Sequence, residues 1–246
     1  MHVEQGGTGD RLAVLLHGLG ATAAVWRGVA AALQARGWRW IAPDLRGHGR
    51  SPSAGPFGYG MHAADVAGLL AAEDMDRVAV LGHSFGGVVA CLLGSGLFGP
   101  LPARIVALGV KTDWTEAEVA GAAAMATRPG KTFATRAEAM DRYLKVSGLA
   151  GLVPPDAPET EGGIFETPQG WALAMDPRAY AAVGPDIPAL MAACRAPLDL
   201  AAGADDPMAS PATMRRLDPR AVLLPGLPHN AHVADPAAAA ALLDPP

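Results

Sequence analysis

The sequence predicts an α/β fold: a mostly parallel central sheet with helices on both faces, interrupted by an inserted helical segment. Three observations carry this expectation. Short apolar runs alternate with helical patterns from Leu12 to Val110, and a Gly-His-Ser-Phe-Gly turn joins one such run to the next helix. The alternation then stops near Lys111 and resumes at Pro197.

Taken in order, Leu12-Ala13-Val14-Leu15-Leu16 is continuously apolar, as a strand covered on both faces requires. An alanine-rich helix with Val25, Trp26, Val29 and Leu33 on one side follows and ends near Gly37. Trp38 to Ala42 reads as a second strand and runs into the turn-rich Pro43–Ser51 stretch; residues 62–75 read as a helix. Val78-Ala79-Val80-Leu81 is a third strand, followed by the glycine-flanked turn, an apolar helix to about Leu93, and a fourth strand over Arg104–Val110. Residues 112–190 show helical patterns at 115–127, 135–147 and 186–194, a proline-rich break at 153–158, and no convincing buried strand. Strands at Pro197–Ala202 and Ala221–Leu224 and a helix over 236–243 close the chain. The expected organisation is therefore a core of residues 1–111 and 191–246 with a cap over 112–190.

Half of the 246 residues are hydrophobic and 17% are charged, enough apolar surface for a sizeable core. A net charge of −5 without a basic block argues against nucleic acid. The uncharged Val78–Ala103 stretch is broken by six glycines and two prolines, so it reads as a strand, turn and helix rather than a membrane span. Residues 1–7 lack a basic and apolar leader pattern, from which a cytoplasmic protein with two free thiols, Cys91 and Cys194, is expected. Monomer and homodimer are both compatible with the sequence.

Gly82-His83-Ser84-Phe85-Gly86 has the Gly-x-Ser-x-Gly pattern in its required strand-to-helix context. The bare flanking positions let strand and helix close on a sharp turn. That turn presents the Ser84 hydroxyl and places the Phe85 N–H at a helix N-terminus, where an oxyanion is favoured. A serine nucleophile needs a base, and the base needs orienting. After Ser84 only His229 and His232 are available, and His229 follows the last strand directly. His232 is expected at the surface or as a cap. For the acid, Asp206 follows the Pro197–Ala202 strand within a Gly203–Pro207 turn; Asp205 and Asp113 are the competitors. No metal-ligand spacing accompanies these residues.

His17-Gly18-Leu19-Gly20, Asp44 through Ser51, Gly82 through Gly87, Gly203 through Pro207 and His229-Asn230 through Asp235-Pro236 occur in one order along nearly the whole chain. In these blocks the sequence resembles the α/β-hydrolase superfamily, in its serine-nucleophile esterase, lactonase and haloperoxidase-like branch with a helical cap. The resemblance implies Ser84, His229 and Asp206 as the triad, Leu19 N–H as the second oxyanion donor beside Phe85 N–H, and no cofactor. Two departures stand out: a short N-terminus that leaves one strand near His2–Gln5, and Pro228 where the family often has glycine before its histidine.

The expected activity is hydrolysis of a small carboxylic ester or lactone. Acyl transfer or perhydrolysis, C–C bond hydrolysis, and a non-catalytic ligand receptor on the same scaffold are the alternatives. Ser84 argues against epoxide hydrolases and haloalkane dehalogenases, which carry aspartate at this turn. Candidate pocket residues are His17, Trp26, His83, Lys111, Trp114, Tyr143 and Trp171. Asp44, Arg46 and His48 are expected to knit their turn together.

Overall fold

Residues 1–244 are described in the computed structural model of the chain. Pro245 and Pro246, the end of the expected core, lie outside the described residues. In chain order the first half comprises β1 (Val3–Gly6), β2 (Arg11–Leu16), α1 (Arg27–Ala35), β3 (Trp38–Pro43), α2 (Tyr59–Leu69), β4 (Val78–His83), α3 (Phe85–Leu93) and β5 (Arg104–Leu108). The middle holds α4 (Glu116–Ala126), β6 (Thr132–Phe133), α5 (Arg136–Val146), β7 (Ile164–Thr167), β8 (Gly170–Leu173) and α6 (Ile187–Ala192). The chain returns through β9 (Leu198–Gly203), α7 (Pro211–Leu217), β10 (Val222–Leu224), α8 (Ala231–Ala234) and α9 (Pro236–Ala241).

The main sheet has the order β1-β3-β2-β4-β5-β9-β10. Only β1 runs antiparallel to its neighbour; the other pairs are parallel. Because side chains alternate along a strand, the unbroken apolar run of β2 serves two cores. Ala13 and Leu15 pack with Val29 and Leu33 of α1 and Ala239 and Ala240 of α9. Leu12, Val14 and Leu16 pack with Val66 of α2, Val88 and Val89 of α3 and Met191 of α6. The strand order reverses between β3-β2 and β2-β4, and a doubly wound sheet opens its ligand crevice at such a point, beyond the carboxyl ends of the strands.

Between β5 and β9 the chain departs from a purely helical insertion. Helices α4 and α5 form near the expected spans, each started by a capping box, Thr115 with Glu118 and Thr135 with Glu138. Between and after them lies an antiparallel sheet of order β6-β8-β7. Its strands are two to four residues long and half-buried or exposed, too short to display a period of two in sequence. This segment is tied to the core by backbone bonds from Gly49 N–H to Ala174 O and from Asp176 N–H to Gly47 O. The Asn230 amide adds a third tie, donating to Ser147 O at the end of α5.

Candidate active site

Ser84 stands between β4 and α3 with φ 50° and ψ −113°, the only non-glycine residue of positive φ among the described residues. Such a conformation costs on the order of 1–3 kcal/mol and persists only where its surroundings enforce it. Here they do. A Cβ on Gly82 would lie 2.2 Å from Gly86 O, and one on Gly86 would lie 2.2 Å from Leu16 O. The Ser84 N–H donates to Leu108 O at 2.8 Å, locking the turn to β5. Phe85 opens α3, so its N–H has no acceptor within the helix. The Phe85 ring is held between Tyr59 and His62, with centroids 4.8 and 4.9 Å away.

The loops after β9 and β10 meet because Gly203 is bare: a Cβ there would fall 2.1 Å from Leu227 O. The Asp205 N–H donates to Leu227 O, and the Asp206 N–H turns back to Gly203 O. This brings Asp206 Oδ2 to 2.8 Å from His229 Nδ1. Asp206 Oδ1 accepts from the N–H groups of Met208 and Ala209 at 2.7 and 3.1 Å. With only 2% of Asp206 exposed, both carboxylate oxygens are occupied inside the protein. The Asp206 oxygen is the acceptor, so His229 carries its proton on Nδ1 and leaves Nε2 as the basic nitrogen. The competing aspartates lie elsewhere. Asp113 accepts from Arg216 and Thr213 in a surface pair, and Asp205 is exposed.

Ser84 and His229 line one cavity of about 300 Å³ above the carboxyl ends of β2, β4 and β5. Four of the expected residues line it with them: Leu19, His83, Lys111 and Trp114, besides Phe85. Lys111 is paired with Glu118 and its ammonium sits 4.6 Å from the Trp114 ring centroid, which fixes that aromatic wall. The other four pocket candidates are corrected. His17 is fully buried behind the turn, where Nδ1–H donates to Gly18 O and Nε2 accepts from the Leu45 N–H. Trp26 and Tyr143 belong to the core on the α1 side of the sheet. Trp171 lies on β8, opposite Phe133 and Glu166, and does not line the cavity.

Tyr59, Val146, Tyr180 and Met208 line the cavity without having been singled out from the sequence. Tyr59 and Met208 lie in loops or helix ends with no motif, and Val146 and Tyr180 acquire their direction only from the packing of the 112–190 segment. Asp44, Arg46 and His48 do knit their turn. Asp44 accepts from the N–H groups of Ala23 and Arg50, Arg46 pairs with Asp65, and the His48 ring bonds Arg46 O.

His232 corrects a second expectation, because it is buried and not at the surface. Only 1% exposed, it lies between the Trp26 and His83 rings, each centroid 4.4 Å away. The His83 ring donates Nε2–H to His229 O at 2.9 Å and so steadies the loop that bears His229. Burial pushes the conjugate acids of these rings down: His17 and His62 to about 4, His48 and His232 to about 3, and His83 well below its usual value. Near neutral pH the site is therefore backed by uncharged imidazoles. Among the described residues no group of three or more His, Cys, Asp or Glu is arranged to hold a metal ion. Cys91 and Cys194 are free thiols, and no described helix is long and apolar enough to cross a membrane.

The α/β-hydrolase fold family matches residues 13–144, a span that includes the Ser84 turn. The chain belongs to that family. RutD of Variovorax paradoxus (strain S110) is 40% identical over 119 residues, which cover 47% of this chain and 43% of its own. The pimeloyl-[acyl-carrier protein] methyl ester esterase of Aeromonas hydrophila is 43% identical over 93 residues, covering 37% of this chain and 34% of its own. The chain thus matches less than half the length of either relative. The crystal structure of E-2-(acetamidomethylene)succinate hydrolase superposes with a TM-score of 0.77 at 22% identity, over 98% of this chain and 92% of its own, and shares the fold.

Proposed function

We propose that the protein is a serine hydrolase of small carboxylic esters, lactones among them, acting through an acyl-enzyme on Ser84. Ser84 Oγ attacks the carbonyl carbon while His229 Nε2 takes its proton, and Asp206 holds the imidazolium that forms. The carbonyl oxygen becomes an oxyanion within reach of the Leu19 and Phe85 N–H groups, which stabilise it at the α3 N-terminus. The tetrahedral intermediate collapses, the C–O bond to the alcohol breaks, and the alcohol leaves with the proton held by His229. Water then attacks the acyl carbon, giving its proton to His229, and the second collapse returns that proton to Ser84 and releases the acid. The scheme uses only side chains, backbone N–H groups and water.

The observation that carries this reading is the 2.8 Å His229–Asp206 pair sharing one cavity with a serine held in strained backbone. The test is turnover of p-nitrophenyl esters of increasing acyl length, with lactones alongside. Wild type hydrolyses them, and Ser84→Ala loses about 10⁶ in kcat, keeping only the residual rate that binding and the oxyanion site supply. Equal rates in both proteins would refute the reading.

A further inference from the structure

Next to the catalytic cavity lies a second one, of about 380 Å³, and Val146 and Tyr180 line both. Its apolar surface comes from Met125, Phe133, Leu173 and Met175. Its charged residues are Arg128, Lys131 and Arg142, with no carboxylate among the lining. This is unusual in a chain whose 24 acidic residues outnumber its 19 lysines and arginines. The contrast with neighbouring cations is informative. Lys111 pairs with Glu118, Lys145 with Asp141 and Arg178 with Asp176. Arg128, Lys131 and Arg142 have no ion-pair partner among the described residues; Arg128 reaches Met125 Sδ at 3.9 Å and Lys131 sits 5.0 Å from the Phe133 ring centroid. Arg142 and Val146 are one turn apart on α5, their backbone positions separated by about 6 Å along the helix axis, and Val146 lines both cavities.

We propose that this second chamber binds an anionic group, a carboxylate or a phosphate, carried by the substrate remote from its scissile carbonyl. The proposal rests on the esterase reading above and names the substrate class of that site. An apolar floor accepts the methylene chain between the two ends, and three cations without an ion-pair partner among the described residues receive the charge, although Glu138 and Asp141 stand beside Lys131 and Arg142 on the neighbouring surface. All three are exposed side chains, so each contributes a screened attraction of about threefold in binding and the set about tenfold or more. A carboxylate would sit at the far end of the acyl group, whereas a phosphate would come from the leaving group of a thioester.

Two matched substrate pairs separate these sources: p-nitrophenyl esters of hexanoic and octanoic acid against their ω-carboxy counterparts, and S-acyl pantetheine with and without a 4′-phosphate. At low salt, wild type favours the anionic member of at least one pair by about tenfold or more in kcat/KM, chiefly through KM. That preference shrinks as salt is raised. The Arg128→Gln/Lys131→Gln/Arg142→Gln variant brings the ratio close to one, and Arg142→Gln alone lowers it about threefold. Should the triple variant fail to fold, the single substitution and the salt series carry the same comparison. Ratios near one in both wild-type pairs, with esters still turned over in a Ser84-dependent manner, would overturn the anionic site and leave the esterase. Absence of Ser84-dependent turnover of any of these substrates would overturn both.

Discussion

At the residue scale the acid of the proposed triad is the sharpest choice, because three aspartates compete for it. Asp206 is buried, accepts two backbone N–H bonds on Oδ1 and meets His229 Nδ1 through Oδ2. Asp113 is committed to Arg216 and Thr213 on the surface. An amide at 206 would offer His229 a donor where it needs an acceptor and would favour the wrong tautomer. In a serine-protease triad such a change costs about 10⁴ in kcat. Asp206→Asn is therefore expected to lose at least about a hundredfold in kcat, while Asp113→Asn and Asp205→Asn lose less than about tenfold. Matching thermal unfolding of the purified variants must be checked first. A crippled Asp113→Asn beside an active Asp206→Asn would move the acid to the other strand end.

At the scale of elements, what could be read from the sequence follows how strongly each element announces its burial. Strands β2 and β4 are covered on both faces, so their apolar runs stand out, and the Ser84 turn is legible because glycine is forced at Gly82 and Gly86 by backbone contacts. Ser84, His229 and Asp206 lie at strand ends, where chain order alone limits the choices. The 112–190 segment lacks such signals. Strands β6, β7 and β8 are too short and too open to alternate. Trp171 shows the consequence: a large aromatic in a cap suggests a pocket wall, yet on β8 it pairs with cross-strand neighbours and does not line the Ser84 cavity. The burial of His232 is hidden from the sequence for a different reason. Histidine is common both inside and outside proteins, and only the stack with Trp26 and His83 places it.

Across the whole molecule, five of the histidines are buried and held uncharged, with conjugate acids pushed down by burial. Their folded pKa values lie below the unfolded value near 6.5, so the unfolded chain takes up protons first as the pH falls. The associated stability is complete above pH 6.5 and is lost progressively toward pH 4, at up to about 1.4 kcal/mol per pH unit for each ring. The acidic groups with lowered pKa values, Glu118, Glu161, Asp176 and Asp218, contribute stability that is lost only from about pH 4.5 downward, at the low end of this window and below it. The protein is thus expected to lose thermal stability steeply between pH 6.5 and pH 4. Scanning calorimetry across that range checks it, and a melting temperature that stays level from pH 7 to pH 4.5 would contradict the uncharged cluster.

The central claim is that Ser84 is an activated nucleophile, and covalent labelling with a fluorophosphonate tests it most directly. Such probes phosphonylate a serine hydroxyl only where a base and an oxyanion site act on it. After incubation and proteolysis, mass spectrometry should find one phosphonyl group on the peptide containing Ser84, and none on the Ser84→Ala protein. An unmodified Ser84 in a folded protein, or a label on another residue, would contradict the account.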